Sequence, residues 1–377
     1  MVNKARVLAE FLELVQIKSS SRQEREIADA LTKKLLDIGL EVVEDTAGQK
    51  IGGNAGNLIG YLKGTVANAP VMLLSAHMDS VEPCAGIQPQ LKDGIITSAG
   101  DTILGSDDKS GVVGILEALR VIKEANIPHG DIQVVFTVSE EIGLSGSRNI
   151  DRHLLKADFG YVLDASGSPG NIIIKAPGQN CIEIGVHGKK AHAGLAPEEG
   201  INAIILAGKA LAELKQGRID EETTANVGII NGGQATNIVP DFVSVICEAR
   251  SRDNAKLEAQ TKLMCETFER VVTGNGGKVT INVTRAYDPY TLADDDPVVV
   301  LACEAANSVG LEPVLGSTGG GSDANFFNKY GVPVAVLGTG MSKVHTTEEF
   351  IKEEDLYKLA EWITAIIKTA GQTEKSG

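Results

Sequence analysis

VMLLSAHMDSVE, residues 71–82, is the stretch from which the fold can be read. Val71 to Leu74 make a short apolar run of the kind a strand buried on both faces requires. The run ends in His77-Met78-Asp79, and side chains two apart on a strand share a face, so His77 and Asp79 point the same way at its carboxyl end. A carboxylate that accepts the second ring proton of a metal-bound imidazole fixes its tautomer. Alone, the pair suits a surface histidine beside a strand-end aspartate equally well.

Working outward, strands and helices alternate. Val7, Leu8, Phe11, Leu12 and Val15 mark one face of a first helix, and a second over about residues 23–38 stops at Gly39. Short strands are expected near 40–44 and 57–63, and Asp93-Gly94 turns a small hairpin over 91–97. GDTILGSDDKSG leads into a helix over 109–124. A strand over 132–138 ends in Ser139-Glu140-Glu141, and another over 159–163 ends in Asp164. This is an α/β layer fold with a mostly parallel sheet. After Pro177 the order becomes strand, helix, strand, strand, helix, strand, which is that of a ferredoxin-like α+β unit. Alternating character then returns: a helix near 297–308, a strand at 332–337 and a last helix over about 353–368, before a tail, GQTEKSG, that should fray. The expected organisation is a catalytic domain in two parts, 1–178 and 289–377, with a lid or dimerisation domain, 179–288, inserted between them.

Composition narrows the function. A chain of 377 residues exceeds what one core usually serves, and 43% hydrophobic residues suffice for two. The net charge of −15, without a Lys/Arg cluster, argues against nucleic acid or an anionic membrane as partner. Five cysteines, odd in number and scattered, suggest buried thiols in a reducing cytoplasm. The first residues lack a signal-peptide run, and no stretch approaches the length of a membrane span.

Candidate ligands then collect at one place. His77, Glu140, Glu141 and Asp164 stand at the carboxyl ends of expected parallel strands, Asp107 and Asp108 at the entrance to a helix, and His345 after the 332–337 strand. In open α/β sheets the crevice beyond those strand ends is where sites are built. An aspartate at a helix start can be only a cap, and two glutamates can be a solvated strand end. Five element ends each supplying a nitrogen or oxygen ligand point instead to a metal.

The order His77-x-Asp79, Gly105-Ser106-Asp107-Asp108-Lys109, Glu140-Glu141-x-Gly143, Asp164 and a late His345 resembles the dinuclear zinc aminoacylase/carboxypeptidase-type metallopeptidases. Within them, DTILGSDDKSG and PHGDIQVVFTVSEEIG are most similar to the tripeptidase T branch, and the resemblance runs nearly end to end. It implies two Zn²⁺, with Co²⁺ or Mn²⁺ also able to use such sites. His77 and Asp164 would bind one ion, Glu141 and His345 the other, and Asp107 both, with a cis bond after it; Asp108 is the weaker candidate for the bridge. Glu140 would be the general base and acid, with Asp79 orienting His77. Three ligand carboxylates and one hydroxide neutralise two Zn²⁺.

The resemblance also implies substrate-binding residues on the inserted domain. His192, in GKKAHAG, would help hold the oxyanion, in many members across a dimer interface, although it also reads as a plain loop histidine between glycines. Arg250 would meet a substrate carboxylate, or else is a solvated strand-end arginine, and Asn237 matches a lid position. The implied activity is release of the N-terminal residue from short peptides, since aspartate at position 164 goes with aminopeptidases. An N-acyl-amino-acid amidohydrolase or a dipeptidase of the same family is the alternative. One departure stands out: the branch has an arginine before its Gly-Gly-Thr-Asp, on the catalytic domain, and Gly319 occupies that place here.

Overall fold

The computed structural model describes residues 1–372. The remainder of the tail expected to fray, 373–377, lies outside the described residues. The chain divides into two compact units: Met1–Ile174 with Leu292–Ser317 and Ser322–Gly377, and Lys175–Thr291 with Thr318–Gly321.

In the first unit the apolar runs form the middle of one sheet. Ile132–Thr137, Met72–His77, Phe159–Ala165 and Val334–Gly338 lie side by side in that order, each pair parallel. Antiparallel strands flank them: Leu58–Leu62 beyond Ile132–Thr137, then Glu41–Glu44, and on the other side Asn171–Ala176 against Val334–Gly338. Every residue of Met72–His77 and of Ile132–Thr137 is buried, as strands covered on both faces demand. The helix Ser106–Glu124 packs on Met72–His77, and Lys4–Val15 and Glu353–Ala370 pack on that helix. Trp362 is fully buried there, its Nε1–H donating to the Ala302 carbonyl at 3.0 Å. Gly39 closes the second helix, Arg25–Ile38, in the left-handed region at φ 99°. The small hairpin, Pro89–Lys92 and Ile95–Ser98, gains a third strand, Phe350–Lys352.

The second unit holds one antiparallel sheet, ordered Gly217–Arg218, Thr223–Gly232, Phe242–Ser251, Gly178–His187, Lys278–Tyr287. The four long strands have the arrangement of a ferredoxin-like unit. Helices Ala203–Glu213 and Asn254–Gly274 pack with them over a core that includes Ile182, Val245, Met264 and Phe268. Ala203–Glu213 begins after Asn202, which caps it, accepting from Ile204 and Ile205 N–H. The unit also reaches beyond the expected 179–288. Thr318 N–H donates to the Lys175 carbonyl and Arg252 Nη1 to the Thr318 carbonyl, so 318–321 groups with this unit and not with the catalytic part.

Candidate metal centre

The strand ends of the first unit converge on Asp107. Its Oδ1 lies 2.9 Å from His77 Nε2, and its Oδ2 lies 3.2 Å from His345 Nε2. Asp164 Oδ1 stands 3.8 Å from His77 Nε2, and Glu141 Oε2 stands 3.0 Å from His345 Nε2. Two sets of ligand atoms follow, His77–Asp107–Asp164 and Asp107–Glu141–His345, each with all its atoms within 4.8 Å of one another. The two sets share only Asp107. Asp108 stands apart, accepting from the His77 and Gly111 backbone N–H groups. The Asp107–Asp108 peptide is cis.

His77, Asp107 and the turn carrying Glu140 and Glu141 are held from behind. His77 Nδ1 donates to the Asp79 carbonyl at 3.0 Å, which fixes the tautomer that leaves Nε2 toward Asp107. The Asp79 carboxylate is farther from that nitrogen, 3.4 Å, and works mainly elsewhere. It accepts from Ser21 Oγ and from the Glu140 and Glu141 N–H groups, so Asp79 ties His77 to the turn carrying both glutamates. Lys109 is 1% exposed and donates to the Met78 carbonyl and Ser80 Oγ, clamping the same strand end. Asp107 itself is not helical, at φ −83° and ψ 103°. Its segment is held by Glu349, whose carboxylate accepts from Leu104, Gly105 and Asp107 N–H and from Ser106 Oγ. Neither Glu349 nor the anchoring part of Lys109 is evident from the sequence, because both act through backbone atoms of distant segments.

The electrostatics fit cations. His77, Asp79, Asp107, Asp108, Glu140 and Asp323 are all buried, and carboxylates so enclosed are costly without positive partners. Burial, with Asp164 next, pushes Glu140 well above the usual carboxylate range, and burial does the same to Asp164. Burial opposes charge on His77, yet hydrogen bonds with Asp107 and Asp79 outweigh it and raise the imidazole well above its ordinary value. His345 is pushed up to about 10 by its hydrogen bonds with Asp107 and Glu141. Glu141 Oε1 is buried without a hydrogen-bond partner. Two imidazoles and three carboxylates, one of them with an orphaned oxygen, make a donor set suited to a pair of divalent ions.

The other expected residues lie on the second unit. His192 is exposed, and its Nδ1 accepts from the Gly194 and Leu195 N–H groups at 3.1 Å. Asn237 is exposed, and its carbonyl accepts from Ala193 N–H. Arg250 is not a free strand-end guanidinium. It makes a two-pronged pair with Glu248, two residues away on the same strand face, at 2.9 and 3.0 Å.

A model of Peptidase family M20/M25/M40 matches residues 73–369. The chain is 46% identical to the crystal structure of aminopeptidase PepT from Bacillus cereus, with TM-score 0.91 over 98% of this chain and 100% of that one. It is 43% identical to a tripeptidase from Staphylococcus aureus, with TM-score 0.95 over 99% and 100%. Peptidase T of Edwardsiella ictaluri is 28% identical over 409 residues, 96% of this chain and 94% of that protein. The chain belongs to peptidase family M20/M25/M40, in its peptidase T-like branch.

Proposed function

We propose that this peptidase is a dizinc aminopeptidase removing the N-terminal residue of short peptides, tripeptides among them. The observation that carries the reading is Asp107, whose two oxygens face different histidines, each beside a further carboxylate. His77 and Asp164 would hold one Zn²⁺ and Glu141 and His345 the other, with Asp107 shared; Co²⁺ or Mn²⁺ suits the same donors. When bound, such a pair supplies an activated water and a polarised carbonyl. Glu140 takes the proton of the attacking water and returns it to the leaving amine. Asp79 keeps the His77 tautomer and the Glu140 backbone in place.

The second unit supplies substrate contacts in this reading. His192 accepts two N–H groups at Nδ1, which leaves its proton on Nε2 as a donor for an oxyanion. Asn237 and Arg250 bind the peptide, Arg250 through its carboxylate. The unit acts as a lid and joins two copies into a homodimer. Beyond Ala225 the Thr223–Gly232 strand has an open edge among the described residues, and Ile204, Ile205, Ile229 and Ile230 are exposed. A cytoplasmic location accords with five free cysteines.

The test is a substrate panel on the metal-loaded protein, comparing di-, tri- and tetrapeptides with N-acetyl amino acids. Release of the N-terminal residue from free peptides is expected. Faster hydrolysis of the N-acetyl compounds would replace the aminopeptidase reading with an amidohydrolase. Sedimentation that finds only monomers at micromolar concentration removes the dimer and leaves the chemistry standing.

A further inference from the structure

Three successive amides at the end of the Ile132–Thr137 strand segment are each taken by a buried carboxylate. Ser139 N–H donates to Glu24 Oε1 at 2.9 Å, Glu140 N–H to Asp79 Oδ1 at 3.0 Å and Glu141 N–H to Asp79 Oδ2 at 3.3 Å. Such a run of amides facing anions is a strongly directed arrangement. Glu24 is the partner that no motif accounts for. It is 0% exposed, it precedes the helix Arg25–Ile38 without capping it, and it reaches across 115 residues of sequence. Its Oε1 also accepts from Ser139 Oγ at 2.8 Å and from Arg22 N–H at 2.9 Å, while Oε2 is buried without a partner. Both residues it grips have left-handed backbones, Ser139 at φ 54° and Arg22 at φ 69°. Residues other than glycine seldom hold that conformation unless their surroundings dictate it.

We infer that Glu24 is a positioning residue for the general base: it holds the left-handed turn at Ser139 from which Glu140 departs. The inference rests on the reading of Glu140 as the base. Asp79 fixes the amides of Glu140 and Glu141, but the chain direction entering Glu140 is set one residue earlier, at Ser139. The Ser139 N–H and Oγ both donate to Glu24, while Ser139 Oγ also accepts from Arg22 N–H and the Ser139 carbonyl from Ser145 N–H. All three donors meet Oε1 and none meets Oε2, so an amide of the same shape, its oxygen at Oε1, keeps the acceptor that the turn uses.

Glu24→Ala and Glu24→Gln, in the full metal-loaded chain, test this. Misplacing a catalytic group by about an ångström costs up to about a hundredfold, so Glu24→Ala should lose roughly ten- to a hundredfold in kcat. KM and bound metal should stay unchanged, and Glu24→Gln should recover most of the loss. A kcat like that of the unsubstituted protein, or a loss of metal in step with kcat, overturns the proposal. Where Glu24→Ala does not fold, Ser139→Ala decides: it cuts one of the three bonds to Oε1, and a severalfold lower kcat at unchanged KM is expected, while an unchanged kcat overturns it. Amide hydrogen exchange over 136–144 in the metal-free protein gives a readout apart from activity. Selective acceleration in Glu24→Ala supports the proposal and unchanged exchange counts against it. If the unsubstituted protein cleaves no peptide, the aminopeptidase reading has failed, and the exchange result still judges whether Glu24 holds the turn.

Discussion

In the first unit His77 is 2% exposed, Asp107 is 7% exposed, and the backbone amides around them end on buried carboxylates of Asp79, Glu24 and Glu349. In the second unit the side chains of His192 and Asn237 are exposed, and the His192 imidazole bonds N–H groups two and three residues on, while backbone bonds such as Ala193 N–H to the Asn237 carbonyl join the two loops. The first arrangement fixes atoms to a fraction of an ångström through long-range contacts, as ligands and a general base require. The second leaves side chains free to adjust to peptides of differing sequence. Substitutions in the two regions should therefore differ in kind: loss of metal or of kcat in the first, and, the oxyanion donor His192 apart, changes of KM and substrate choice in the second.

The largest effect is expected at Asp107. Asp107→Ala removes the one carboxylate common to both ligand sets, so metal content by elemental analysis should fall below one ion per chain, with activity falling beyond that of any other single change. Retention of two tightly bound ions would break the comparison at its root. Glu140→Gln comes next. It should keep about two ions and lose about 10²- to 10⁴-fold in kcat, the usual worth of a general base. Unaltered turnover in that variant would end the assignment of Glu140.

How much of this the sequence made legible follows from the same contrast. Parallel strands announce themselves as apolar runs, and the residues at their carboxyl ends, His77, Glu140 and Asp164, can be read off in order. His345 is harder: it sits in a loop, with a left-handed backbone at φ 63°, and only its motif position marks it. Glu24 and Glu349 were invisible, because a carboxylate that serves backbone amides 115 or 242 residues away leaves no local periodicity or spacing. The flanking strand Asn171–Ala176 was also missed; its alternating burial lies just before the change of pattern at Pro177. Arg250 was read by its position at a strand end, whereas the decisive fact is Glu248, which shares its face.

A smaller effect is expected from Glu349→Gln. The amide keeps one acceptor, but its NH₂ faces donors that the carboxylate satisfied, either Leu104 and Gly105 N–H or Asp107 N–H and Ser106 Oγ. Outer groups that orient ligands are worth about 10- to 100-fold in metal affinity. Competition with a chelator should show a loss of that size, along with a lower melting temperature, and substrate preference among peptides should not change. An altered preference with unaltered metal affinity would mean that the division between the two regions is drawn in the wrong place.

The smallest effect, and the sharpest test of the second region, concerns Gly319. The branch carries an arginine at this position for the peptide's terminal carboxylate. Of the two guanidiniums at the end of the Phe242–Ser251 strand, Arg252 donates to the Thr318 and Glu221 carbonyls, and Arg250, the expected anchor, is already paired with Glu248. A substrate carboxylate must share Arg250 with that partner, so Arg250 alone should measure peptide length poorly. Room for a second anchor exists. A side chain added at Gly321 would meet the Tyr287 ring at 2.5 Å, but one added at Gly319 meets nothing within 4 Å, and that residue is exposed. Gly319→Arg should fold normally and lower KM for free tripeptides without affecting their C-terminally amidated forms. Exposed ion pairs are worth about 0.2–1 kcal/mol, so the gain should be at most about fivefold, with kcat and metal content unchanged. Arg250→Ala should act in the opposite sense, raising KM for free peptides and narrowing the gap between free and amidated substrates. Matched kinetics on free and amidated di-, tri- and tetrapeptides measure both. A strong tripeptide preference in the unsubstituted protein, left intact by Arg250→Ala, would show that another residue reads the carboxyl terminus and that the glycine at 319 carries no consequence for length selection.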